Sequence, residues 1–161
     1  MKGRTKDLER WARLADLVLI IAREIQFRGY SDRRAVSLTA SEGMVMRYLQ
    51  IHPVAQPNQI AFATGLQRSN LSTLLRGLES KGLLERLISA DDRRSVTVRL
   101  TERGAANYAL VRREWAAAVS KAAASDASNL DAALSLLGEI EVGIIKMRPR
   151  QPSRNMDRAE D

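Results

Sequence analysis

The sequence predicts a mainly α-helical fold with one small β-hairpin, and three observations support this. Apolar residues make up 45% of the chain but aromatic residues only 4%, a composition that favours packed aliphatic helices. Leu71, Leu74, Leu75 and Leu78 recur at helical spacing. Directly after them, two apolar-rich runs, 84–89 and 95–100, flank a charged pentapeptide, which is typical of a β-hairpin. Helices followed by such a hairpin predict a winged helix-turn-helix.

Length and composition narrow the class further. The length of 161 residues is typical of a single domain, and an elongated helical subunit of a dimer has a similar length. The chain has no cysteine and one histidine, His52, which excludes a disulfide framework, a thiolate metal site and a histidine pair. No apolar run approaches a membrane span, and acidic residues interrupt the N-terminus where a signal peptide would lie. We therefore expect a cytoplasmic protein with no metal and no cofactor.

The charge balance favours a polyanionic partner. The chain carries 26 Lys and Arg against 19 Asp and Glu, giving a net charge of +7 and a pI near 10.4. Charge alone fits DNA, RNA or an anionic surface equally. The absence of aromatic platforms for stacked bases makes RNA the weakest of these.

The N-terminal part of the chain predicts two helices. A long helix is expected over residues 6–29, with an apolar stripe that needs a surface to pack on. Thr39 and Glu42 form the capping-box pattern that begins the next helix. The predicted buried side of that second helix consists of Met44, Val45, Tyr48 and Leu49.

The helix-turn-helix follows at residues 57–82. Pro57 suits a first helical position, and Gly65 suits the left-handed residue that ends a short helix. The leucine stripe of the next helix turns inward and leaves a small, polar and basic outer face, which suits the major groove of B-DNA. Arg68 lies near the helix start, where phosphate contact is expected. The predicted DNA-binding residues of this helix are Arg68, Ser69, Asn70, Ser72, Thr73 and Arg76.

At this point the sequence resembles the MarR family of transcription regulators. The resemblance rests on Leu38-Thr39, on the run 78–86 (LESKGLLER), on Asp92-Arg93-Arg94-Ser95 and on the closing run 100–104 (LTERG). These pieces stand in the family's order and spacing, and the similarity covers residues 36–107. The chain departs from the pattern at Thr73 and Gly77, where the family often carries longer and basic side chains.

The hairpin is the predicted wing. A tip that carries Arg93 and Arg94 is narrow enough to approach the minor groove, where negative potential attracts arginine. The resemblance implies that the second of these, Arg94, enters the groove while Asp92 braces the tip. The opposite assignment, with Arg93 inserted and Arg94 bracing, fits the sequence as well.

The C-terminal part predicts two further helices. Thr101 is the expected N-cap of a helix that runs to about residue 124, and Ser128 with Asp131 forms a second capping-box pattern before an aliphatic-rich helix. The terminal helices carry more apolar surface than a small winged helix can cover, which predicts a symmetric dimer; the resemblance implies the same arrangement. The predicted divisions are an N-terminal dimerisation helix (1–35), the winged helix-turn-helix (36–104), C-terminal dimerisation helices (105–146) and a disordered tail (147–161).

These features predict a dimeric, sequence-specific DNA-binding transcription regulator that binds a pseudo-palindromic operator, and the resemblance makes a repressor the more frequent case. The resemblance also implies a small-molecule effector between the dimer helices and the winged domain. Aromatics at helical spacing are usually part of the core or of a dimer interface, but four of them are candidates for lining such a pocket: Trp11, Tyr30, Tyr108 and Trp115. An enzyme is not expected, because no nucleophile with a base and no glycine-rich phosphate loop is present. The alternative is a winged-helix interaction module that binds an acidic protein.

Overall fold

The structure, a computed structural model, describes residues 2–88, 96–124 and 126–149. Within them the chain forms six helices and one two-stranded antiparallel sheet, which confirms the predicted fold class. The elements are α1 (Lys2–Phe27), α2 (Ala40–Ile51), α3 (Pro57–Thr64), α4 (Arg68–Ser80), β1 (Leu84–Ile88), β2 (Val96–Leu100), α5 (Glu102–Ala122) and α6 (Leu130–Lys146). The predicted tail, 147–161, lies outside the described residues except for 147–149.

Helix α2 begins at the predicted capping box. The Thr39 N–H donates to Glu42 Oε2 (2.8 Å), and the Glu42 N–H donates to Thr39 Oγ1 (3.2 Å). Val45 and Leu49 are buried as predicted, but the burial predicted for Met44 is wrong: Met44 is exposed and Met46 is fully buried. The buried stripe follows the i, i+3, i+4 spacing of Val45 and Leu49, on which Met46 falls and Met44 does not.

Helices α3 and α4 form the predicted helix-turn-helix. Pro57 occupies the first helical position of α3, and Gly65 ends that helix with a left-handed φ of 72°. In α4, Leu71, Leu75 and Leu78 are buried against the rest of the domain. Their burial fixes which face of α4 is left exposed.

Strands β1 and β2 pair from Leu84 opposite Leu100 to Ile88 opposite Val96. Ala55, between α2 and α3, adds a bridge to β2: its N–H donates to the Val98 carbonyl (3.1 Å) and its carbonyl accepts from the Val98 N–H (2.8 Å). The base of the hairpin is thereby joined to the helices.

The base of the hairpin also interlocks with the start of α5. Thr101 is the N-cap as predicted, and its hydroxyl accepts from the Gly104 N–H (2.9 Å) and donates to the Gly82 carbonyl (2.8 Å). A Cβ atom at Gly104 would overlap the carbonyl oxygen of Leu83. Glycine is therefore required at position 104, because α5 begins in direct contact with the backbone before β1.

One hydrophobic core holds these elements together. Its fifteen buried apolar residues all lie between Leu38 and Val111, and none comes from α1 or α6. Helix α1 contacts α5, and from residue 6 to 27 only Leu14 and Ile25 are even half-buried. No described helix is long and apolar enough to cross a membrane.

Helix α6 belongs to a second compact unit that begins at residue 127. None of its residues is buried. The predicted capping box from Ser128 to Asp131 is wrong in register, because Asn129 occupies the N-cap position and its side chain makes no capping hydrogen bond. Asp131 consequently lies in the first turn, where a negative charge suits the helix dipole.

Candidate nucleic-acid interface

The candidate interface is the exposed face of α4. Burial of Leu71, Leu75 and Leu78 turns the opposite side of the helix outward. All six residues predicted to contact DNA from this helix are exposed: Arg68, Ser69, Asn70, Ser72, Thr73 and Arg76. The structure thus brings them together on one surface.

Local hydrogen bonds order the middle of this face. The Thr73 hydroxyl donates to the Ser69 carbonyl (3.4 Å), and Arg76 Nη2 donates to Thr73 Oγ1 (3.5 Å). Both contacts are long, so they orient the side chains while leaving the guanidinium donors of Arg76 available.

Gly77, the second departure from the family pattern, lies elsewhere on the helix. A Cβ atom at this position would lie 4.0 Å from Glu42 Oε1. Position 77 therefore faces α2, and the absence of a side chain there bears on helix packing.

Ion pairs separate the cations of the winged domain into two groups. Lys81 pairs with Glu42 (2.7 Å), Arg86 with Glu79 (3.1 Å) and Arg99 with Glu85 (2.6 Å). Among the described residues, no carboxylate pairs with Arg68 or Arg76. The exposed face of α4 accordingly carries two arginines without an ion pair in the described residues, and a phosphate backbone would be attracted there.

The predicted wing tip lies outside the described residues. This applies to Asp92, Arg93 and Arg94, which belong to the segment 89–95 between the two strands. The choice between Arg93 and Arg94 as the groove-inserting residue stays a prediction.

The four candidate pocket aromatics are not gathered in one place. Tyr30 and Trp115 both line a cleft of about 200 Å³ with Arg28, Glu114 and Lys121. Tyr108 lies in the hydrophobic core, where burial raises the pKa of its hydroxyl. Trp11 is 53% exposed on α1 and lines neither this cleft nor the adjacent one.

The adjacent cleft, of about 360 Å³, shares Ile25 and Trp115 with the first and is also lined by Ala22, Arg23, Gln26 and Ala40. Trp115 Nε1 is buried and has no hydrogen-bond partner within the described part of the chain. A buried donor without a partner is energetically unfavourable, so the Trp115 Nε1–H group could donate a hydrogen bond to a bound molecule.

Sequence reasoning missed the polar contacts beside the first cleft. Glu114 accepts from the backbone N–H groups of Ser31 (2.8 Å) and Asp32 (3.3 Å). Asp32 in turn accepts from the Arg34 guanidinium (2.7 Å) and the Arg34 N–H (2.9 Å), and these bonds lower the pKa of Asp32 to about 2. Glu114 is 83 residues from Ser31, so no local pattern indicated this contact. In the described ranges, no three acidic or histidine side chains gather as metal ligands.

Two helices joined by a short turn, a following antiparallel hairpin and a polar outer face on the second helix define a winged helix-turn-helix. Residues 36–95 match the model of the MarR family. The predicted resemblance to the MarR family is confirmed over these residues.

Solved structures show the same fold over most of the chain. The regulator BldR from Sulfolobus solfataricus matches with a TM-score of 0.66 at 20% identity, covering 84% of this chain and 94% of BldR. FabT of Streptococcus pneumoniae, solved with DNA, matches with a TM-score of 0.63 at 23% identity, covering 89% and 99%. NadR, solved with 4-hydroxyphenylacetate, matches with a TM-score of 0.57 at 19% identity, covering 88% and 90%.

Proposed function

We propose that this chain is a homodimeric transcription regulator that binds a pseudo-palindromic operator in double-stranded DNA and represses by occluding a promoter. The observation that carries the proposal is the exposed polar face of α4, opposite a buried leucine stripe. A helix presented in this way fits the major groove. The DNA complex of the structurally similar FabT supports the same use of the fold.

The proposed contacts divide by chemistry. Ser69, Asn70, Thr73 and Arg76 supply short polar or guanidinium groups for base edges and nearby phosphates, whereas Arg68 at the helix start meets phosphate and Ser72 lies on the same surface. An arginine of the wing, Arg94 or Arg93, enters the minor groove beside Asp92.

The proposed dimer interface uses α1 and the C-terminal helices, within residues 1–35 and 105–146. The support is exposed apolar surface. Eight large apolar side chains are exposed on α1, and α6 has no buried residue at all. Patches of this extent are typical of interaction sites. Two recognition helices related by a twofold axis would then read the two halves of a palindrome.

A small-molecule effector is the third part of the proposal. The cleft lined by Tyr30 and Trp115 also contains the cations Arg28 and Lys121, which suits a small aromatic acid. The one carboxylate in its lining, that of Glu114, is already bound by the backbone N–H groups of Ser31 and Asp32. NadR, which shares the fold, was solved with such an acid. Screening aromatic acids for release of bound DNA tests this part.

The main experiment is a titration of the purified chain against the DNA upstream of its own gene and against random duplex, at two salt concentrations. We expect nanomolar specific binding with a steep salt slope, because several phosphate contacts release counterions. Arg76→Ala should weaken operator binding about tenfold. Arg47→Ala, which removes an exposed arginine of α2 outside both α4 and the proposed dimer helices, is the matched control and should change operator affinity less than twofold.

Binding to every duplex with the same affinity would contradict sequence-specific regulation. Binding to no duplex, together with binding to acidic proteins, would favour the alternative of a protein-interaction module.

A further inference from the structure

A set of contacts away from the exposed face holds the C-terminal end of the recognition helix. Lys81 caps α4, and its Nζ donates to Glu42 Oε1 (2.7 Å) and to the Ser37 carbonyl (3.2 Å). Glu42 uses its other oxygen, Oε2, to accept from the Thr39 N–H (2.8 Å). One lysine thus joins the end of α4 to the first turn of α2 and to the residues before it.

This pair is the most buried of the ion pairs in the described residues. The side chain of Glu42 is 9% exposed and that of Lys81 34%, whereas both partners in the Arg99–Glu85 pair are more than 40% exposed. A buried carboxylate depends on its counter-charge, because removing one partner leaves a charge without compensation. The geometry of a buried pair is also better defined than that of an exposed one.

The segment that Lys81 contacts is itself fixed to α5. The Val36 N–H donates to Asn107 Oδ1 (2.7 Å), and the Val36 carbonyl accepts from Asn107 Nδ2 (3.0 Å). Asn107 is a buried residue of α5. Ser37 follows Val36 directly, so the end of α4 is tied through this short segment to α2 and α5 together.

The surface of α4 next to the pair is also close to α2. A Cβ atom at position 77 would lie in ordinary contact with Glu42 Oε1, at 4.0 Å, so this position of α4 lies beside the carboxylate. Lys81, Glu42 and Gly77 thus form one contact between the two helices, which we call the α2–α4 clamp.

We propose that Lys81 and Glu42 are positioning residues that set the orientation of the recognition helix and thereby DNA sequence discrimination, without contacting DNA. This inference rests on the proposed function. Base edges are read through hydrogen bonds whose distances vary by only a few tenths of an ångström, whereas phosphate attraction tolerates displacement. A tilt of α4 would therefore cost specific affinity while leaving non-specific affinity in place.

The test compares operator and random duplex for Lys81→Met and Glu42→Gln, which change net charge in opposite directions. Gln keeps an oxygen that can accept from the Thr39 N–H, so the helix cap is preserved. We expect both variants to lose about tenfold in the ratio of operator to random affinity, the value of one base contact. Lys81→Arg, which keeps the donor and the charge, should retain the ratio.

Two controls exclude other causes. Arg86→Met breaks the more exposed pair with Glu79 at the same end of α4 and should shift both affinities together, leaving the ratio within twofold. Thermal unfolding of each variant sets a working temperature at which all are folded, since a merely stabilising pair would lower the midpoint and leave the ratio unchanged. If the pair acted only through its charge, Lys81→Met would lower DNA affinity and Glu42→Gln would raise it.

A second readout needs no DNA. Because the chain has no cysteine, spin labels at Ser72→Cys on α4 and Ala106→Cys on α5 report the distance between the two helices, with unlabelled protein added to dilute contacts between copies. We expect Lys81→Met and Glu42→Gln to broaden or shift that distance. If the wild-type chain prefers the operator and the folded variants keep the same ratio of operator to random affinity, the proposal is wrong. If the wild-type chain shows no preference, the proposed function is wrong, and the positioning role is then tested by the spin-label distance alone. An unchanged distance would contradict it.

Discussion

The winged domain and the terminal helices differ in how their apolar surface is covered. The fifteen buried apolar residues of the core all lie between Leu38 and Val111. The long α1, by contrast, exposes Leu8, Trp11, Leu17, Val18, Leu19, Ile20, Ile21 and Phe27, and α6 exposes Leu130, Leu134, Leu136, Leu137, Val142 and Ile144.

This difference separates two requirements within one chain. The winged domain closes its core together with the first turns of α5, so its integrity depends on contacts made within the chain. The terminal helices have apolar faces whose burial needs another surface, since each buried aliphatic side chain contributes about 1.5–3 kcal/mol. In the proposed dimer, DNA binding would therefore depend on self-association and so on protein concentration.

The largest effect is expected from placing charge on the apolar surface of α1, which tests whether this surface is buried in a dimer. Leu17→Glu with Ile21→Glu should give a folded winged domain that stays monomeric, because carboxylates cannot be buried in the proposed interface. Operator affinity should fall by about 10²-fold or more through loss of bivalent binding. Sedimentation and the operator titration measure the two effects.

The matched control is Asp16→Lys, a charge change of the same size on the same helix at a position that already carries a charge. It should leave the sedimentation coefficient unchanged. A double variant that still sediments as a dimer would show that α1 is not the interface.

A substitution at Gly104 tests the internal packing of the winged domain. Gly104→Ala should lower the free energy of unfolding by about 3 kcal/mol, because the added Cβ atom meets the Leu83 carbonyl oxygen and α5 must move away from β1. Urea unfolding measures the loss. Gly138→Ala on α6, where a Cβ atom meets nothing within 4 Å, should be neutral or stabilising by up to about 1 kcal/mol. Equal effects at the two glycines would refute the close approach of α5.

The smallest expected effect concerns the connection between α1 and α2, where the two regions meet. The hydrogen bonds from Arg34 hold the pKa of Asp32 at about 2, below its usual 3.8. A lowered carboxyl pKa contributes stability that is complete above the unfolded value and is lost as the pH falls from about 3.8 towards 2. Asp32→Asn should therefore lower the thermal midpoint slightly at neutral pH, and the difference from wild type should vanish near pH 2.

Asp7→Asn removes the same charge from the exposed surface of α1 and should leave the midpoint within experimental scatter at neutral pH. A difference between Asp32→Asn and wild type that is equally large at pH 2 and at neutral pH would contradict the role of the ionised Asp32.

Features that depend on a few neighbouring residues were predictable from the sequence. The capping box at Thr39, the left-handed Gly65, the N-cap at Thr101 and the leucine stripe of α4 each follow from spacings of four residues or fewer. The outward face of α4 follows from the stripe, so the exposure of its six candidate residues was predictable as well.

Features that depend on contacts between residues far apart in the sequence could not be predicted. Glu42 and Lys81 are 39 residues apart, and Asn107 and Val36 are 71 apart; no periodicity joins them. Met44 and Met46 are equally apolar, and only the position of the neighbouring elements decides which is buried. At α6, Ser128 and Asn129 are both good caps, so the register could not be read from residue type.

The bond between Asn107 and Val36 also has a consequence for the order of events during synthesis. A ribosome releases Val36 long before Asn107, so the backbone between α1 and α2 must wait for α5 before its hydrogen bonds can form. Contacts between distant parts of a chain delay folding because the loop between them has to close first. The helix-turn-helix can thus begin to fold during translation, but the hydrogen bonds from Asn107 to Val36 form only after α5 has been synthesised.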